Sequence, residues 1–363
     1  MIHFLAPAAE RLFHNYLDVR GRSIADRFEI VAYENLPSQF RGGTYVFSAL
    51  EQLSPAMERL VETLYAKLAA CEGVRILNRP GRTLRRYDLL AALARSGHND
   101  FKAVRANEAL SDLRYPVFIR GERTHDGALT PLLDTRDEVD SWIGRLVVLG
   151  RSLRELLVIE FCETADEHGS YRKYGAFIIG DRIVPRGLDI GPRWMLKRQG
   201  TTEFAREHLR EELQFVRTNP HEQELREIFT IGGVDYGRID YSIKDGRVRT
   251  WEINLHPTIG HGFGPPKSPA PGEVGELQAE LREYVHAGLR EAWVAVDLED
   301  ERPLNVTLDP ALVRAAAAQR SPMVRAPLVA ALRRALRPVK PLLLRHGTRV
   351  FRAVGGIMRR FEG

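Results

Sequence analysis

Cysteine is nearly absent from this 363-residue chain: Cys71 and Cys162 stand far apart, with no CxxC and no Cys/His spacing around either. Neither a disulfide framework nor a zinc site is suggested, and both residues read as buried thiols. No run of 18 apolar residues occurs, so no transmembrane helix is expected. The opening MIHFLAPAAERLF lacks the basic stretch and the cleavage site of a secretory signal, and the expectation is a cytoplasmic protein. What remains is ordinary for a globular chain, 44% hydrophobic and 28% charged, with length enough for two or three domains.

The formal charge of +5 is unevenly spread. Residues 301–363 hold 13 Lys/Arg against 3 Asp/Glu, whereas residues 1–300 hold 40 against 45, so the basic character belongs to the tail. Prolines 322, 327, 338 and 341 cut that tail into short pieces. Leu342 to Phe361 then places Val350, Val354, Ile357 and Phe361 on one stripe, with Arg345, Arg349 and Arg352 largely off it. A basic amphipathic helix of this kind docks on its own protein, on a second copy of it, or on an anionic membrane surface, which would make the protein peripheral there. The tail has no interleaved aromatics, so nucleic acid is not an expected partner.

Residues 1–105 alternate strand and helix, the pattern of an open parallel α/β domain. Strands are expected at Ile2–Leu5, Phe28–Ala32, Thr44–Ser48 and Val74–Leu77, with a helix from Ala9 and another over Pro55–Cys71, capped by Ser54. Asn78-Arg79-Pro80 reads as a turn before a helix over Leu84–Arg95. Further on, Pro116–Arg120 is a buried strand running into the loop GERTHDG, where His125 stands. Thr135-x-x-Glu138 is a capping box that opens a helix. Leu156–Phe161 is a short apolar strand, and SYRKYGAFIIGDRIVPR folds as a hairpin through Gly180-Asp181. Period two puts Arg172 and Lys173 on opposite faces of that hairpin and does not decide which one faces a cleft.

The most explicit chemistry lies between Ile228 and Gly264. Val234–Ile243 alternates, with Arg238, Asp240 and Ser242 on one face and Ile239, Tyr241 and Ile243 on the other. After Lys-Asp-Gly-Arg, Val248–Asn254 puts Glu252 and Asn254 on one face and Trp251 and Ile253 on the other. Asp240, Glu252 and Asn254 are hard oxygen donors of the kind Mg²⁺ takes alongside water and phosphate. Parity then constrains the turn. A two-residue Asp245-Gly246 turn would pair Ile243 with Val248, an odd sum, and would send Asp240 away from Glu252. The ligand set requires an odd-length loop or an equivalent bulge, most simply a turn over Lys244-Asp245-Gly246 pairing Ile243 with Arg247 and leaving Asp240 diagonal to Glu252.

The pairing of GRIDYS with WEINLHP resembles the metal-binding end of the ATP-grasp superfamily, in which an acid-x-Asn pair and an acid about a dozen positions earlier hold Mg²⁺ against ATP. That resemblance implies an N-terminal open parallel α/β domain over 1–105, a two-lobed ATP-grasp domain over 106–300 with lobes meeting near 160–165, and the basic helical tail over 301–363. It implies ATP and Mg²⁺, or Mn²⁺, as cofactors, and metal ligation by Asp240, Glu252 and Asn254. Arg120 stands where the family carries a lysine that meets the phosphates. Its planar fork differs from a compact ammonium, and the loop after it is poor in glycine. Glu160, Phe161 and Cys162 would follow the adenine edge, with Glu163 or Asp166 near the ribose. Lys173 is the cation assigned to the nucleotide. Arg238, on the face of Asp240, resembles the arginine that steadies the oxyanion. The implied activity joins a small-molecule carboxylate to an amine through an acyl phosphate. The alternatives are an ATP-binding regulatory module without turnover and a kinase on the same fold.

Overall fold

The computed structural model describes residues 1–318 except residues 9, 125–126, 197–205 and 260–271. His125, Lys197, most of the Gly/Pro-rich segment after Pro257 and the stripe at Leu342 to Phe361 therefore lie outside the described residues. Four strands near the N-terminus, β1 (Ile2–Ala6), β2 (Phe28–Ala32), β4 (Gly43–Phe47) and β5 (Val74–Leu77), form a parallel sheet in the order β2-β1-β4-β5. Strand β1 is buried along its whole length, as expected of a strand covered on both faces. Helix α1 (Leu12–Val19) and helix α2 (Pro55–Ala69) supply the crossovers. Ser54 caps α2 by accepting from the Met57 amide at 3.3 Å. Helix α1 begins at Leu12 because the Glu10 carboxylate takes the Leu12 and Phe13 amides, at 2.8 and 2.9 Å.

Two antiparallel sheets follow, and a cleft opens between them. Strand β6 (Ala103–Arg105) already pairs with the second sheet, whose order is β6-β8-β7, with β7 at Val117–Gly121 and β8 at Leu156–Glu160. Helix α4 (Arg136–Val148) covers it, and the Thr135/Glu138 capping box forms as the sequence announces. The third sheet has the order β10-β9-β11-β12: β9 (Tyr171–Ile179), β10 (Arg182–Gly191), β11 (Tyr236–Lys244) and β12 (Arg247–Asn254). Helices α5 (Arg206–Thr218) and α6 (Glu222–Gly232) lead into β11, and α3 (Arg86–Arg95) precedes β6.

Asn78 is more than a turn residue. It is fully buried with φ +63°, and its side chain joins the parallel sheet to the third sheet. Nδ2 donates to the carbonyls of Phe47 and Tyr236 at 3.1 and 2.7 Å, and Oδ1 accepts from the amides of Asp235 and Tyr236, both at 2.9 Å. Helix α7 (Gly272–Val296) brings Trp293 back onto the same junction, where its ring packs edge-on against Phe13 and Phe28 at 5.5 and 5.2 Å.

Beyond residue 300 the chain does not leave the body at once. Strand β13 (Pro303–Leu304) pairs antiparallel with β3 (Phe40–Arg41), and α8 (Pro310–Ala318) packs on α2, burying Val306 and Ala316. Among the described residues no helix is long and apolar enough to cross a membrane. Relative to a chain ending at residue 318, one ending at residue 300 loses these buried side chains and a strand pair, and its stability to urea should drop by about 2–4 kcal/mol. Equal midpoints for the two truncations would show that residues 301–318 add nothing to the core.

Candidate functional site

The three-residue turn is not what forms. Asp245 and Gly246 make the two-residue turn, with φ +52° and +71°, and Ile243 pairs with Val248 and Lys244 with Arg247. Two left-handed residues give the turn whose twist matches a right-handed strand pair, which is why Asp-Gly wins over the longer loop. Parity is restored further up. Tyr241 pairs with Thr250 but Asp240 with Glu252, so Trp251 is an extra residue, a bulge in β12. Asp240 and Glu252 thus stand directly opposite each other instead of diagonally. The bulge also corrects the expected facing of Trp251, which joins the lining of the cleft. Its Nε1 donates to Ser242 Oγ at 2.9 Å, and its ring stacks on Phe101 at 5.2 Å.

The cleft is a cavity of about 570 Å³. One end is apolar, with Phe101, Phe118, Ile159, Phe161, Trp194 and Trp251; the other holds the charged face of the hairpin. There Arg238 makes a two-pronged contact with Asp240, Nε to Oδ1 at 2.8 Å and Nη2 to Oδ2 at 3.3 Å. Lys173 Nζ lies 3.8 Å from Asp240 and 3.3 Å from Asp189 on β10. Glu252 Oε2 accepts from Arg120 at 2.9 Å and also from Arg86 of α3. Burial drags the Arg120 guanidinium below its ordinary range, partly offset by Glu252, yet an arginine there still carries its charge. Burial acts on Arg238 too, but the Asp240 carboxylate outweighs it and holds the group above its ordinary range.

Four cations therefore meet three carboxylates, which favours an anionic ligand over a second cationic one. Among the described residues no group of three or more His, Cys, Asp or Glu is placed to hold a metal ion alone. Asp240, Glu252 and the Asn254 carboxamide fit a divalent ion that completes its shell with ligand oxygens, as Mg²⁺ does with phosphate. The Asn254 Oδ1 meanwhile accepts from the His256 amide at 2.8 Å.

Of the residues singled out from sequence, the cavity brings together Arg120, Phe161, Cys162, Lys173, Arg238, Asp240, Glu252 and Asn254. The Glu160 side chain is buried elsewhere, accepting from the Lys102 and Arg114 amides at 2.9 and 2.8 Å. Glu163 is likewise outside the lining and accepts from the Ala165 amide and the Tyr171 hydroxyl. Arg172 and Lys173 both line the cavity, but Arg172 is paired with Asp166 and Glu211, and Lys173 is the one of the two beside Asp240. Sequence reasoning missed Arg86, which had a signal: Arg86, Leu89, Leu90 and Leu93 form one buried stripe of α3, and an arginine within an apolar stripe needs a buried partner. It also missed His256, which lines the cavity beside Asn254 and whose Nε2 faces Glu10 Oε1 at 2.8 Å.

Cys162 lines the cavity with its thiol pushed up to about 12, by burial first and by Asp100 second, with Sγ 3.4 Å from Asp100 Oδ1. At pH 8 almost none of it is thiolate, and the thiolate is the reactive form. Iodoacetamide at that pH should label Cys71 well before Cys162 in the native protein, read by peptide mass. Equal labelling would contradict the burial described.

No family model matches this chain, and no curated protein matches it. Among solved structures, a D-alanine–D-alanine ligase from Bacillus anthracis complexed with ATP is 12% identical and aligns over 81% of this chain and 99% of its own, at a TM-score of 0.42. A RimK domain ATP-grasp protein from Sphaerobacter thermophilus is 15% identical over 78% and 99%, at 0.42. The ATP-grasp ligase PsnB, complexed with a minimal precursor, is 14% identical over 78% and 99%, at 0.45. Likenesses at this level of superposition carry no chemistry across, and the cleft is read from its own residues.

Proposed function

We propose that this protein is an ATP- and Mg²⁺-dependent ligase of the ATP-grasp kind, joining a carboxylate to an amine through an acyl phosphate. One observation carries the reading: Asp240 and Glu252 face each other across paired strands, ringed by Arg86, Arg120, Lys173 and Arg238, where a mostly apolar cavity meets the charged face of a hairpin. A flat aromatic base suits the apolar end, and a phosphate chain suits the cation-rich end. The divalent ion, when bound, neutralises charge on the transferring phosphoryl group. Asp240, Glu252 and Asn254 would hold it. Lys173 and Arg120 would orient phosphate oxygens, and Arg238 would steady negative charge that develops at the attacked carbonyl.

The regulatory reading, ATP binding without turnover, has one observation in its favour: Arg120 and Arg86 are both spent on Glu252. An ADP-release assay with ATP, Mg²⁺ and pooled amino acids separates the readings. Turnover is expected with at least one acid and amine pair, and Arg238→Gln should lower kcat on the order of 100-fold with ATP binding retained in calorimetry. Asp240→Asn and Glu252→Gln should each abolish metal-dependent ATP binding. Tight ATP binding with no ADP release from any pool would favour the regulatory module, and a stable phosphorylated product with no amide would favour a kinase.

A further inference from the structure

Among the described residues, Arg86 is the one cation that reaches Glu252 from outside the strands β7, β9 and β11 that carry Arg120, Lys173 and Arg238. It comes from α3, is 9% exposed, and a single nitrogen of it, Nη1, donates to three carbonyl groups where β7 runs into its loop: Gly121, the last residue of the strand, at 2.8 Å, Glu122 at 2.7 Å and Thr124 at 3.0 Å. The other, Nη2, meets Glu252. One guanidinium thus ties together the backbone of a loop and a candidate metal ligand.

The same side chain has a second anion beside it. A small pocket of about 20 Å³, room for one water, is lined by Glu51, Arg85, Arg86 and Glu122. Both Glu51 carboxylate oxygens are shut off from solvent, and the Arg86 Nε is buried without a hydrogen-bond partner. A buried donor left unsatisfied is costly, so a geometry that turns Arg86 toward Glu51 recovers a charge-assisted bond.

We propose that Arg86 positions the loop over residues 121–124 according to what Glu252 holds: with Glu252 free of metal Arg86 clamps the loop, and a divalent ion at Glu252 sends Arg86 to Glu51 and releases the clamp. This rests on the assignment of Glu252 as a metal ligand. The physical reason is competition, since a carboxylate oxygen bound to a divalent ion is no longer available to a guanidinium, and two positive charges on one oxygen repel. Arg120 loses the same bond but has no contact with the loop carbonyl groups, so its substitution serves as the contrast.

Hydrogen exchange of the peptide covering residues 121–124, in the full-length protein without nucleotide, tests both halves. Without metal, Arg86→Ala should speed exchange there roughly tenfold or more, as expected for loss of several bonds to a charged donor. Arg86→Lys should show an intermediate value, Glu252→Gln should speed it partly, and Arg120→Gln should leave it near the native rate. Exchange in Arg86→Ala and Arg86→Lys equal to the native protein overturns the clamp. Mn²⁺ alone is then added until its electron paramagnetic resonance signal shows a Glu252-dependent site filled. The native loop should open to about the Arg86→Ala rate, and Glu51→Gln should weaken Mn²⁺ binding severalfold by removing the alternative partner. A filled site with an unchanged loop, or an unchanged Mn²⁺ affinity in Glu51→Gln, overturns the coupling and leaves the metal site standing. No Glu252-dependent Mn²⁺ binding sinks the metal assignment and the coupling together, while the metal-free comparison still decides the clamp.

Discussion

One inserted residue governs the chemistry of this cleft. Without Trp251 as an extra position in β12, the tight turn at Asp245-Gly246 would put Asp240 and Glu252 on opposite faces of the sheet. The bulge is held from outside the strand, by the indole bond to Ser242 and the stack on Phe101. Its cause is therefore tertiary. The side chain at the bulge also lines the cleft, so the cavity wall and the strand register that makes its charged face are linked through a single indole.

The electrostatics of that face follow from burial. Charges shut away from water need partners: Asp240 and Glu252 each have two cations, Lys173 also meets Asp189, and each guanidinium has a carboxylate. The cost of holding several like charges together is met by pairing in the free protein and would be met by phosphate and metal in the loaded one. Arginine suits this double duty better than lysine, because a planar fork can hold a carboxylate and backbone oxygens at once, as Arg86 does.

Much of this was legible in the sequence, for reasons that can be named. Period two assigned Arg238, Asp240 and Ser242 to one face correctly because β11 is regular over that stretch, and Ile239 and Tyr241 are fully buried on the other. The caps of α2 and α4 were readable because capping is local, set by residues three apart. Parity alone showed that either a long turn or a bulge was needed. What it could not show was which, because the choice depends on Phe101, some 150 residues earlier in the chain. The two-residue pair of β3 and β13 carries too little pattern to be seen at all. Arg86 was overlooked although its place among leucines was visible, because an arginine in a helix is usually read as a solvated position.

Asn78 has a thermodynamic consequence of its own. Its carboxamide satisfies groups from Phe47 in the parallel sheet and from Asp235 and Tyr236 at the head of the hairpin, and it is shut away from water. Neither side can come apart without stranding polar groups of the other in an apolar interior. The parallel sheet and the hairpin sheet are bound into a single cooperative unit, so heating should melt them in one calorimetric transition, and any hinge that opens the cleft must lie on the side of the three-stranded sheet.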